Sequence, residues 1–192
     1  MIGILRSLAL AATLIALPVA AVEVGGVKFE DKAKVGSSDL ALNGAGIRTR
    51  AFFKVYSIGL YLPEKKGSAD AVLALKGAKR VRIVTLRDLT AQQFADALVE
   101  QIDKNHTEAE LAALKPAVDE FKATLLALNA APTGTVIAID FVPDAGTRLT
   151  VNDQAKGKAI AGEEFYRALL KVWLGEKPAQ GDLKEALLGK AG

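Results

Sequence analysis

The stretch GAGIRTRAFFKVYSIGLYL, residues 44 to 62, holds the side chains in this chain best suited to chemistry. Arg48, Arg50, Phe52, Lys54 and Tyr56 occupy alternate positions, so an extended backbone sets them on one face before any bulge. A guanidinium offers a rigid fork of donors and a phenol one more. Side by side on the wall of an apolar cavity, Arg48 and Tyr56 would receive a carboxylate or an enolate. The same spacing fits a surface strand whose arginines meet solvent or a neighbouring glutamate, where such contacts contribute little.

Other chemistries lack their parts. With no cysteine, thiol mechanisms are excluded, and with His106 as the sole histidine the usual zinc sites and Ser-His-Asp catalysis lose most of theirs. His106 follows Asn105 at a helix junction and reads as an exposed loop or capping residue. No metal and no cofactor is expected. Acidic residues are scattered without an acid–base pair. Asp140 alternates with Ile139 and Phe141 and is expected to point outward, because unpaired buried carboxylates are rare. The glycines of GAG lack a phosphate-loop pattern. Phe165 and Trp173, on one helical face, read as core.

Met1 to Ala21 has the form of an export signal: Arg6, an apolar run from Leu8 to Leu17, then Pro18 and the small residues Val19-Ala20-Ala21. Cleavage would start the mature chain near Val22, in a bacterial periplasm, with no stable membrane span left. Residues 22–192 suffice for one domain. Losing Arg6 lowers the formal charge from +3 to +2, since no acid precedes residue 22. That balance predicts no nucleic-acid footprint.

The elements that must position Arg48 and Tyr56 follow from periodicity. Val27 to Glu30 reads as a strand, and Leu40 to Arg50 as two extended pieces around an Asn-Gly or Gly-x-Gly bend using left-handed backbone. Ala51 to Leu62 reads as a strand buried on both sides and ended by Pro63. Ser68 to Leu75 fits a short helix. Lys79 to Leu86 alternates as a sheet strand, with Val81, Ile83 and Thr85 on one face. Thr90 with Gln93, and Thr107 with Glu110, form capping boxes that open two helices. The second carries an apolar stripe from Leu111 to Leu128, read as core packing, with a kink or restart expected at Pro116. Thr135 to Val142 and the TRLTVN segment form a hairpin, with a further short extended piece near Lys158 to Ile160. Helices from Glu163 to Leu174 and Asp182 to Leu188 close the chain. This order predicts an α+β domain, an antiparallel sheet with helices layered on one face.

GAGIR followed by KVYSIGLYL resembles the chalcone isomerase superfamily, in its bacterial exported branch. LTAQQFADAL at a helix start, VWLG at a late helix end and DLKEALLG support the likeness across the mature chain. The resemblance implies an open-faced β-sandwich, a large antiparallel sheet layered with helices. It matches Arg48 to the arginine that faces a phenolate in the enzymes and a carboxylate in the fatty-acid-binding relatives. It sets Tyr56 where the enzymes carry a water-ordering threonine, Phe94 at their catalytic tyrosine, Gln101 at their asparagine and Val172 at a hydroxyl residue.

Only the arginine is retained, and ring closure needs polar donors in place beforehand. The implied function is therefore a non-catalytic periplasmic binder of a small amphiphilic carboxylate such as a fatty acid. Arg48 would hold the headgroup with Tyr56 assisting, Phe94 would form wall, and Gln101 would add a secondary polar contact. One alternative is an isomerase or intramolecular lyase on another substrate, with Arg48 as electrostatic stabiliser and Tyr56 as acid or water-orienting group. Another is a structural or assembly protein of the envelope, meeting a partner through the helix from Thr107 to Asn129.

Overall fold

A computed structural model describes residues 21–190. The expected export segment, apart from Ala21, lies outside the described residues. Seven strands form one antiparallel sheet in the order β11-β10-β9-β6-β5-β4-β3. They are β3 (Lys32–Val35), β4 (Ser38–Arg50), β5 (Phe53–Leu62), β6 (Lys79–Thr85), β9 (Val136–Val142), β10 (Gly146–Val151) and β11 (Gln154–Ile160). A separate hairpin of β1 (Ala21–Val24) and β2 (Val27–Glu30) packs on one face. Helices α1 (Ala69–Ala74), α2 (Ala91–Lys104), α3 (Glu108–Leu126), α4 (Glu164–Leu174) and α5 (Gly181–Leu187) cover the other, and β7 (Leu89–Thr90) pairs with β8 (Ala130–Ala131) beside them. Among the described residues, no helix is long and apolar enough to cross a membrane.

Period-two alternation sorts β5 onto two cores. Tyr56, Ile58, Leu60 and Leu62 join Val81, Ile83, Ile137, Ile139 and the α4 side chains Phe165, Tyr166, Leu169 and Trp173 beneath the helices. Tyr61 points the other way and joins Phe29, Val35, Leu40 and Leu42 under the small hairpin. Each such buried side chain contributes about 1.5–3 kcal/mol. At Gly59, between these layers, an added Cβ would lie 2.6 Å from the Phe29 ring, so the hairpin closes on the sheet only because that position carries no side chain.

Four expectations need correction. The bend expected near Asn43-Gly44 is a register shift inside one 13-residue strand. Gly44 is not left-handed; a Cβ there would lie 2.1 Å from the Ala186 carbonyl oxygen, so it is small to admit α5. The strand expected from Ala51 starts at Phe53, because Ala51, at φ 53°, and Phe52 form the tip of the β4–β5 hairpin. Helix α3 continues through Pro116 without the restart. Pro116 and Ala112 are both exposed, so the carbonyl that loses its partner can meet water. Asp140 does point away from the helices, but it is buried in a two-pronged pair with Arg80, at 2.6 Å on each prong. The edge strands carry Lys32 and Lys34 on β3 and Lys156 and Lys158 on β11.

Candidate functional site

The β4–β5 hairpin places Arg48 directly across from Tyr56. The two meet as expected, but across two strands rather than along one. A pocket of about 580 Å³ opens between the hairpin, one face of α2, the Arg87–Leu89 segment and the end of α4. Arg48, Tyr56, Phe94, Gln101 and Val172 all line it.

Helix α2 forms where its caps dictate. The Thr90 hydroxyl accepts from the Gln93 amide while the Gln93 side chain accepts from the Thr90 amide, satisfying two otherwise unpaired donors. The helix then presents Phe94, Ala97, Leu98 and Gln101 to the pocket at spacings of three and four. At its far end Asn105 donates to the carbonyls of Gln101 and Lys177 and accepts from the Lys177 amide, tying α2 to the α4–α5 connection that brings Ala179 to the wall. His106 caps there too, with Nδ1 donating to the Ile102 carbonyl at 2.7 Å. It is half-buried rather than exposed.

Tyr56 is buried, with its ring edge-on to Phe94 at 6.4 Å. Its hydroxyl accepts from Trp173 Nε1 at 2.9 Å, and among the described residues no acceptor takes its own proton. Burial pushes the phenol above its ordinary pKa, and the Trp173 hydrogen bond and the Arg48 charge pull down without overcoming it. At neutral pH the group is therefore a donor, and the bond it accepts strengthens the one it can give.

Arg48 is half-buried. Its Nη1 donates to the Thr49 carbonyl and to Gln180 Oε1, and the same Gln180 oxygen accepts from the Thr49 amide at 2.7 Å. The guanidinium is thus oriented by neutral groups. Among the described residues no carboxylate lies within 4.0 Å of it. Arg50, Arg87 and Lys104 add positive charge at the rim, against Asp88 and Glu100. Both carboxylates are engaged, Asp88 by the Thr133 amide and hydroxyl and Glu100 by Lys104. Gln101 Oε1 is buried with no donor.

Two residues escaped the sequence reading. Trp173 was assigned to the core alone, and it also lines the pocket. Gln180 stands 131 positions from Thr49, and no local pattern marks it.

A chalcone isomerase-like family model matches residues 21–189. The chain belongs to the chalcone isomerase-like family. Its fold is similar to that of the crystal structure of a fatty-acid binding protein from Arabidopsis thaliana. The TM-score is 0.68 and the identity 16%, over 88% of this chain and 96% of that one. At that identity the likeness is one of fold. No curated protein matches the chain in sequence. Within this chalcone isomerase-like fold, the hairpin end of the sheet-to-helix space is a hollow rather than packed side chains, and its polar wall is dominated by hydrogen-bond donors.

Proposed function

We propose that this chalcone isomerase-like protein is a non-catalytic periplasmic binder of a small amphiphilic carboxylate, with a fatty acid as the preferred class. The observation that carries the proposal is Arg48: a half-buried cation on the wall of a pocket with one apolar side and one charged rim, with no carboxylate within salt-bridge distance among the described residues. A cation partly withdrawn from water gains from meeting an anion. The ligand carboxylate is the anion that Arg48 lacks, and Tyr56 adds a donor beside it. Val55, Phe94, Ala97, Leu98, Val172 and Trp173 supply an apolar lining for the chain. The volume lies within the range usual for small-molecule sites, about 300–1,000 Å³. The fold shared with a fatty-acid binding protein supports the same class. A phenylalanine at position 94 offers no proton to a reacting oxygen, which favours holding over turnover.

Trp173 is the only tryptophan of the chain and lines the pocket, so its fluorescence reports occupancy. Titration with a brominated long-chain fatty acid should quench it, and the methyl ester of that acid should bind at least tenfold more weakly. Arg48→Ala should lose the preference for the free acid. Equal quenching by acid and ester, or none by either, would overturn the proposal.

A further inference from the structure

We propose that the tip of the β4–β5 hairpin, Arg50 to Lys54, docks the protein on an anionic lipid bilayer with the pocket mouth against the membrane. Phe52 is 98% exposed and Phe53 60% exposed, the largest unburied apolar side chains among the described residues. Turn chemistry does not select them. Ala51 takes a φ of 53°, a region that favours glycine, so a small polar tip would make the same turn with less strain. What these residues offer is a projecting apolar wedge.

Charge around the wedge is net positive: Arg50, Lys54, Arg87 and Lys104 stand against Asp88 and Glu100. Arg50 and Lys54 flank the phenylalanines and are exposed, and the Arg87 guanidinium sits over the Phe53 ring at 4.7 Å. No acidic residue occurs from Leu40 to Pro63. The nearby carboxylates Asp88 and Glu100 are held by Thr133 and Lys104, as described above. Apolar side chains ringed by Lys and Arg fit the headgroup region of an anionic bilayer, where each cation contributes about fivefold in affinity. A protein partner fits less well. Two aromatic side chains bury at most about 500 Å², short of the roughly 800 Å² per partner of a stable interface.

Position gives the docking a purpose, and here the inference rests on the proposed function. Arg50, Ala51 and Phe53 line the pocket, so a tip seated in headgroups aims the mouth at lipid, where an amphiphilic carboxylate resides. The ligand would pass between membrane and pocket without crossing water.

The test is flotation of the full exported protein with vesicles of phosphatidylcholine alone or mixed with phosphatidylglycerol, and with no fatty acid added. The wild type should float with the mixed vesicles, and less so as salt rises. Phe52→Ser/Phe53→Ser should reduce partitioning at least tenfold, and Arg50→Gln/Lys54→Gln about twenty-five-fold, with unfolding midpoints unchanged because all four sites are exposed. In a Phe52→Trp variant, brominated lipids should quench the new tryptophan. Equal partitioning of wild type and the double serine variant, or no flotation, overturns the docking, as would a requirement for added protein. Trp173 quenching by fatty acid is read separately. If vesicles bind and fatty acid does not, the docking stands and the ligand reading falls; the reverse result sinks the docking alone.

Discussion

The two ends of one sheet treat their cations in opposite ways. Where β6 starts, Lys79 is 1% exposed and meets Glu163 at 3.1 Å, and its neighbour Arg80 is gripped by Asp140 through both prongs. Glu163 is shared further with Lys76 and Arg167. Where β4 ends, Arg48 is oriented by Gln180 and a backbone carbonyl but meets no carboxylate among the described residues. Charge at the first end is complete without a visitor, and so belongs to the scaffold. At the second end the fold positions a cation through neutral groups, the arrangement that the proposed carboxylate binding calls for.

Glu163→Ala should produce the largest change. It strands Lys79 in the core with only the Gly77 carbonyl and the Phe141 ring for company, and should destabilise by about 3 kcal/mol in chemical denaturation. Lys79→Met, which removes the charge and keeps the volume, should be close to neutral. Asp140→Ala should follow at about 2 kcal/mol, because the Arg80 pair retains some access to solvent. At the other end, Arg48→Met should shift stability by less than about 1 kcal/mol while weakening carboxylate binding tenfold or more. A destabilisation equal to that of Asp140→Ala would make Arg48 another scaffold charge and erase the contrast.

The smallest effect is in pH. Burial raises the Glu163 pKa, but the hydrogen bonds from Lys76 and Lys79 outweigh it, so the folded value lies below the ordinary 4.5. A depressed carboxyl stabilises the fold above its unfolded pKa, and that contribution is lost as pH falls through the folded value. Stability measured from pH 6 downward should therefore drop below about 4.5 in the wild type. In Glu163→Gln it should start lower and fall less steeply over that window.

The same contrast marks what could be read from the sequence. Both capping boxes were legible because the cap and its partner lie three residues apart, and β5 was legible because a segment this rich in apolar and aromatic residues, ended by Pro63, has few other uses. Arg48 and Tyr56 were correctly paired by the wrong route. Ala51 and Phe52 carry none of the usual turn residues, so the hairpin between the two was invisible. Gly44 was assigned to a bend because sequence does not distinguish a glycine needed for left-handed backbone from one needed for close approach. Asp140 was expected in solvent because its partner, Arg80, lies 60 residues away across β6 and β9. Gln180 was missed for the same reason. Local chemistry is written locally, and countercharges are supplied by topology.

The lysines on β3 and β11 sit where the sheet leaves backbone donors and acceptors open on its flanks. A second copy sliding alongside would bring ammonium groups against ammonium groups, and that repulsion opposes strand addition. The protein thus displays phenylalanines at one corner while lysines guard the flanks of its sheet against pairing with another copy.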